Sequence, residues 1–319
     1  MSYWNEKFKI KNLEFPRFVS GPLDGVTDSP FRKVVRDFSK DELLYTEMRH
    51  VACVHNQKDK KAISFCATER PLNFQFSANK VDFIKEVCEK VLQKGVDSID
   101  LNIGCPARNI VSSGSGSALM GDIPRLKQIL SCFRENLEDI PFTVKMRAGF
   151  KEVNAVDTAK LVQDYGADAI AIHPRLQSQK FAGVPDYELA AEVKKTLDIP
   201  VLFSGGIVNF QDAKIVYEQT GVDGFLIGRG MWGAPWKLKE LAQNALGKEF
   251  YVDKTVILQC ALKHLDNQID FYGTNGLYSF RKHLPYYIKG MPFSGELRKL
   301  VFSTASVDKV KEYMASFLG

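Results

Sequence analysis

Cys105 stands where a strand should end. The run Asp97-Ser-Ile-Asp-Leu101 is followed at once by Asn102-Ile-Gly-Cys105-Pro106, and Gly and Pro terminate extended structure. The turn leaves an ionisable thiol at the C-terminal end of a strand. In a parallel α/β barrel, that is the end where active sites are built. A thiol so placed can act as nucleophile, metal ligand or general acid. No C-x-x-C pair or Cys/His cluster accompanies it, so no metal site is expected.

Other reactive side chains recur at the predicted ends of neighbouring strands: Glu47, Gln75, Asn102, Lys145 with Arg147, and His173. Lys145 and Arg147 are two apart and so share a face. One polar residue at a strand end is ordinarily a solvated loop residue, but a rim supplied by several strands reads as a site. Lys145 lies in a run suited to a core, where Lys is rare without a partner. The partner is either an anionic or electron-rich ligand, or Glu47 in a structural ion pair.

Ser204-Gly205-Gly206 and Gly228-Arg229-Gly230 follow the last two predicted strands, where barrels commonly hold a phosphate on backbone N–H groups. Glycine lets the backbone approach an anion, and Arg229 adds charge-assisted donors. A single phosphate site, a cation able to stabilise a reduced anionic ring and no adenosine fingerprint point to FMN rather than FAD. Beside a flavin, the preferred role for Cys105 is proton donor to a C=C bond hydrogenated from its other face.

These residues need a frame that brings strand ends together. Short apolar runs at Arg17–Ser20, Glu42–Glu47, Pro71–Phe76, Ser98–Asn102, Phe142–Arg147, Ala169–His173, Pro200–Ser204 and Gly224–Gly228 read as strands buried on both faces. Helical periodicity separates them, as in Val81, Ile84, Val87, Cys88, Val91 and Leu92, or Leu126, Ile129, Leu130, Phe133 and Leu137. Gly95 and Gly166 stand as helix stops. Eight such units predict an α/β fold, a (β/α)8 TIM barrel. An open doubly wound sheet is the alternative, but strand one is followed by Gly21-Pro-Leu-Asp-Gly25 and not by G-x-G-x-x-G. The Ala107–Ala118 stretch, rich in Gly and Ser, reads as a mobile loop over the site.

The 319 residues exceed a barrel of ~250 residues by a small appendage. The strand–helix alternation stops near residue 243, so residues 1–244 are expected to form the barrel and 245–319 a small C-terminal helical domain. No apolar run approaches the ~20 residues of a membrane span, and the N-terminus has no signal-like apolar core. A cytoplasmic, monomeric protein is expected. Cys88 and Cys132 fall on apolar helix faces and read as core; Cys53, Cys66 and Cys260 have no chemical neighbours. The net charge of +5 permits a polyanionic partner without requiring one. In residues 245–319, ten Lys/Arg face seven Asp/Glu. Arg281, Lys282, His283, Tyr286, Tyr287 and Lys289 interleave charge and rings there, as an RNA-binding surface does. On composition alone a solvated helix face explains them as well.

The ordered set of motifs resembles the tRNA-dihydrouridine synthases: Gly21-Pro-Leu-Asp-Gly-Val-Thr-Asp-Ser-Pro-Phe-Arg32, Asn102-Ile-Gly-Cys-Pro106, Val144-Lys-Met-Arg147, Ile172-His-Pro-Arg175, Ser204-Gly-Gly-Ile207, Ile227-Gly-Arg-Gly230, Phe280-Arg-Lys-His283 and Tyr287-Ile-Lys-Gly290. The resemblance implies an FMN enzyme, reduced by NADPH, that converts uridine in tRNA to 5,6-dihydrouridine. A flipped-out base would take hydride at C6 and a proton from Cys105 at C5. By matched position, Pro22, Leu23 and Asp24 line the flavin, and Gln75 and Lys145 contact its rings. His173, Ser204, Gly205, Gly206, Gly228 and Arg229 hold its phosphate end. Asn102, with Arg147 and Arg175, meets the uracil or its phosphate, and Arg281, Lys282, His283, Tyr287 and Lys289 meet the tRNA. Ser204-Gly205-Gly206 replaces a commoner Asn-Gly-Asp, Pro174 and Leu176 replace Gly and Thr, and Leu23-Asp24 replaces Met-Ala. These departures bear on flavin affinity, not on reaction class. Two other readings are an FMN reductase of a free pyrimidine or small enone, and a catalytically silent RNA-binding barrel.

Overall fold

Two short strands, β1 (Phe8–Ile10) and β2 (Leu13–Phe15), pair as an antiparallel hairpin. Phe8, Ile10 and Phe15 are buried against Val19, Ala169, Ala171, Leu202 and Leu226. The hairpin thereby plugs one end of a barrel, and the sequence pattern gave no sign of it. The structure is a computed structural model that describes residues 3–56 and 60–317.

The barrel strands are β3 (Phe18–Ser20), β4 (Leu44–Tyr45), β5 (Arg49–His50), β6 (Leu72–Ser77), β7 (Ser98–Ile103), β8 (Phe142–Gly149), β9 (Ala169–Leu176), β10 (Val201–Ser204) and β11 (Gly224–Ile227). All pair in parallel, in the order β3-β11-β10-β9-β8-β7-β6-β4, with β5 continuing along β6. Ser20 N donates to Leu43 O at 3.0 Å and Tyr45 N to Ser20 Oγ at 2.8 Å, which draws β3 beside β4 and closes the ring. Of the expected second strand, Glu42–Glu47, only Leu44–Tyr45 pairs in the sheet, and β5 lies beyond it, after residues 46–48.

The strands alternate. Outward residues such as Phe74, Phe76, Ile99, Leu101, Val144, Met146, Ile170 and Ile172 join the helices in the main core. Their inward neighbours are Asn73, Gln75, Asp100, Asn102, Thr143 and Lys145, paired across β6, β7 and β8. This half of the interior is polar, and its groups must satisfy one another.

Residues between strands are mainly helical. The helix Ile84–Leu92 begins after Val81, which is 42% exposed, and the helix Ile123–Glu135 is capped by Asp122 accepting from Arg125 N. Cys88 is buried, as expected, but Cys132 is only half-buried.

A second core lies beyond the barrel, around the helix Lys254–Tyr272. Leu258, Ala261, Leu265, Phe280, Leu284, Val301 and Met314 share it with Val34 and Trp236 of the barrel. Polar groups also cross the junction. Asp28 caps the helix Ser29–Arg36 and accepts from Gln268 Nε2 at 2.9 Å. Asn267 Nδ2 donates to Pro30 O at 3.2 Å, and Lys263 pairs with Asp37 at 2.7 Å. Among the described residues, no helix is long and apolar enough to cross a membrane.

Candidate active site

The strands end at a cavity of about 540 Å³. Asn102, Cys105, Lys145, Arg147 and His173 line it, with Pro22, Leu23 and Asp24 from the loop after β3. Ser204, Gly205, Gly206, Gly228 and Arg229 line it after β10 and β11.

A chain of hydrogen bonds runs up from the barrel interior to Cys105. Asn73 Nδ2 donates to Thr143 Oγ1 at 2.9 Å, and Thr143 Oγ1 donates to the Asp100 carboxylate. Gln75 Nε2 donates to Asp100 Oδ2 at 2.7 Å, and Asn102 Nδ2 donates to Gln75 Oε1 at 2.9 Å. Asn102 Oδ1 then accepts from Gly104 N at 3.0 Å and Cys105 N at 2.8 Å. Both Asp100 oxygens accept here, from Thr143 and Gln75, so each amide in turn is fixed in one orientation. Gly104 has no room for a side chain, since a Cβ would lie 3.0 Å from the Met146 carbonyl carbon. These constraints hold the Cys105 backbone tightly.

The stretch after Cys105 is not a free loop. It folds into the helix Arg108–Ser112 and the 3-10 turn Gly116–Gly121. Ser117 N and Oγ donate to Cys105 O at 3.1 and 3.0 Å. A Cβ on Gly116 (φ 59°) would lie 2.9 Å from Cys105 O. The expectation of a mobile cover fails because Gly116 and Ser117 here serve close packing on the Cys105 carbonyl and Cβ. Burial raises the Cys105 pKa, opposed by a backbone hydrogen bond from Ala107 and by the cations Lys145 and Arg147. The thiol therefore keeps its proton at neutral pH.

Lys145 has no ion pair among the described residues. Glu47, its expected structural partner, instead pairs with Arg49 and accepts from Gly25 N at 2.7 Å, because the break between β4 and β5 turns Glu47 toward that loop. Burial and then the nearby Arg147 lower the Lys145 pKa to about 8, while Asp100 and Cys105 support its charge. Burial raises Asp100 to about 7. His173 is pushed down to about 2, by burial first and then by Lys145, Arg147, Arg175 and Arg229. It is therefore neutral. Arg175 Nη1 lies 3.0 Å from His173 Nε2, and a guanidinium can only donate, so the ring proton belongs on Nδ1.

At the other end of the cavity, Gly205 and Gly206 have φ of 121° and 79°. A Cβ on Gly205 would lie 2.8 Å from the His173 ring. The backbone N–H groups of Gly205, Gly206, Gly228 and Arg229 donate to no acceptor among the described residues. The Arg229 guanidinium stacks 4.4 Å from the centroid of Phe181. Free donors around a glycine cradle, with an uncommitted guanidinium, fit a flavin mononucleotide phosphate.

Several expected residues lie elsewhere. Gln75 is fully buried beneath the cavity and reaches it only through Asn102. Arg175 is turned onto His173 and Gly183 O. Arg147 lines the cavity, but its guanidinium is tied to the carbonyls of Gly104, Leu176 and Lys180. In the tail, Lys282 and Lys289 are exposed. His283 and Tyr287 are buried, at 0% and 3% exposure, and Arg281 caps the carbonyls of Val301 and Thr304. His283 and Tyr287 are packed inside the tail, and Arg281 is bonded to its backbone. Two aromatic residues of the wall, Phe181 and Trp232, were absent from the expected set, and a third, Tyr286, entered it only as a member of the tail's basic and aromatic cluster. Phe181 and Trp232 carry no local motif. Tyr286 could be found only from its place among the tail's basic and aromatic residues.

The family model "Dihydrouridine synthase (Dus)" matches residues 18–318. "Probable tRNA-dihydrouridine synthase 1" of Synechocystis sp. is 32% identical, covering 98% of this chain and 89% of that protein. "Probable tRNA-dihydrouridine synthase" of Rickettsia prowazekii is 33% identical, covering 97% of both. "tRNA-dihydrouridine synthase B" of Pseudomonas aeruginosa is 30% identical, covering 94% of this chain and 93% of that protein. Among solved structures, morphinone reductase aligns with a TM-score of 0.58 at 8% identity, over 79% of this chain and 93% of that one. An old yellow enzyme homologue from Zymomonas mobilis aligns with a TM-score of 0.57 at 11% identity, over 77% and 93%. These two share the barrel fold. The chain is a member of the dihydrouridine synthase family of oxidoreductases.

Proposed function

We propose that the protein reduces the C5=C6 bond of uridines in tRNA to 5,6-dihydrouridine. The observation that carries the reading is a protonated thiol, Cys105, held beside Lys145 at one end of a cavity whose other end is a glycine cradle with Arg229. FMN, re-reduced by NADPH, would supply the hydride that uracil receives at C6.

The chain's own residues do the rest. Gly205, Gly206, Gly228 and Arg229 bind the phosphate, with Ser204 and neutral His173 beside them. Pro22, Leu23 and Asp24 bound the ring on the β3 side. Lys145 places a cation against the cofactor. Asn102 and Arg147 orient the uracil. Cys105 Sγ–H delivers the proton to C5, and solvent reprotonates the thiolate. Burial keeps that proton in place until the base arrives. The barrel supplies the chemistry, while Lys282 and Lys289 of the tail meet the RNA. The protein acts in the cytoplasm, alongside its tRNA.

The test is NADPH-dependent dihydrouridine formation in unmodified tRNA, compared with free uracil. Product in tRNA is expected. Turnover of free uracil alone would overturn the proposal in favour of a small-molecule reductase.

A further inference from the structure

Trp232 and Tyr286 stack face to face, with centroids 3.9 Å apart and planes 13° apart. Trp232 follows the Arg229 turn of the barrel; Tyr286 belongs to the tail. Both line the cavity that Cys105 lines. No step of the proposed reaction uses them.

The arrangement is built rather than incidental. Gly233 has φ 76°, and a Cβ there would lie 2.4 Å from the Tyr286 carbonyl carbon. Only glycine lets the tail backbone come so close, and that approach brings the rings into register. Trp232 covers one face of Tyr286, yet Tyr286 remains 43% exposed. A planar ligand meets a ring already immobilised, so stacking costs little ordering. Lys289 lines the same wall without an ion pair among the described residues. Lys282 Nζ lies 3.4 Å from where a Cβ on Gly25 would be, beside cavity-lining Asp24. An exposed aromatic face with exposed cations on the same tail is the chemistry that binds a single-stranded nucleotide, base on ring and phosphate on ammonium.

We infer that the Trp232–Tyr286 stack seats a second nucleobase of the RNA, next in sequence to the uridine being reduced. The inference rests on the tRNA reading of the active site. Flipping one base out of a stack exposes the face of its neighbour, and the Tyr286 ring replaces the lost partner. A nicotinamide ring is the competing occupant. The tail's share of this wall favours the RNA, because the tail also brings the cations.

Three measurements test it. A tRNA with 2-aminopurine beside the target uridine should lose fluorescence on binding the wild-type protein, and should lose much less on binding Tyr286→Ala. Tyr286→Ala should raise KM for tRNA about tenfold, while Tyr286→Phe, which keeps the ring, should stay near wild type. Unquenched 2-aminopurine with wild-type protein, or an unchanged KM in Tyr286→Ala, would overturn the inference while leaving the tRNA reading intact. Slowing of NADPH-driven cofactor reduction by the same factor would assign the stack to nicotinamide and also overturn it. Wild-type protein that neither binds nor reduces tRNA would instead sink the underlying reading, and the inference with it.

Discussion

The Asp100 carboxylate accepts from Gln75 Nε2 at 2.7 Å, and that one bond decides which way two amide groups point. Gln75 presents its oxygen to Asn102, and Asn102 presents its own oxygen to the Cys105 backbone. Asp100→Asn can donate where the carboxylate only accepted, so the Gln75 and Asn102 amides can turn over. Expected is a kcat for tRNA reduction up to about tenfold lower, the scale of one hydrogen bond, with KM for tRNA unchanged. Lys145 titrates at about 8 and is charged below that pH, so activity that needs its charge falls as pH rises through 8. Asp100 supports that charge; without it the alkaline limb should move to lower pH. A kcat–pH profile that keeps its limb would refute the coupling.

Cys105→Ala should retain FMN and its reduction by NADPH but lose tRNA reduction by about 10²- to 10⁴-fold, the usual range for a lost general acid. Rapid-mixing measurement of the two half-reactions separates these effects. Wild-type tRNA reduction in the variant would remove Cys105 from the mechanism.

Gly205→Ala places a methyl group against the His173 ring and puts alanine at φ 121°. Strain of about 1–3 kcal/mol is expected at such a position. FMN titration by fluorescence should show affinity at least about fivefold weaker. Unchanged affinity would mean that the turn does not touch the cofactor.

Arg229→Ala removes a guanidinium that makes no ion pair among the described residues and stacks on Phe181. FMN affinity should fall about tenfold. Wild-type affinity should weaken with added salt, and the variant's should weaken less. Equal salt slopes would place the phosphate elsewhere.

Asp28 is buried at the junction of barrel and tail, and burial raises its pKa to about 6. A raised carboxyl pKa contributes stability that is fully present below the ordinary value and lost as pH rises through 6. Asp28→Asn retains the cap oxygen, and Gln268, whose Oε1 is buried without a partner, can turn its amide to match. The variant should melt no lower than wild type at pH 7, with a flatter melting temperature between pH 4 and 6. A large loss at pH 7 would show that the charge itself is needed.

The barrel was legible because each strand buries its outward half in the same way, so apolar residues at alternate or successive positions marked all eight strand positions. Cys105, Lys145 and His173 were legible because a reactive group at a strand end is conspicuous. Asp100 was missed within an apolar run, although it lies two residues before Asn102 and must share its face. Gln75 was placed one layer too high, since sequence shows which face a residue takes but not how deep it sits. His283 and Tyr287 looked like RNA contacts because a basic-aromatic cluster reads alike on either side of a helix. Helical phase relative to the barrel comes only from the docked tail. Phe181 and Trp232 were invisible because residues far apart in the chain make them a wall.

The close approach at Gly233 has a thermodynamic consequence. A tail on a flexible tether would lose its freedom each time RNA arrived, and that entropy would weaken binding. Here the tail shares a core with Val34 and Trp236, so the loss was settled when the chain folded. On the proposed reading, RNA would meet a mould whose two halves already share a core, and more of the remaining ordering would belong to the RNA. On that reading, discrimination among tRNAs would rest more on the deformability of the RNA than on movement of the tail.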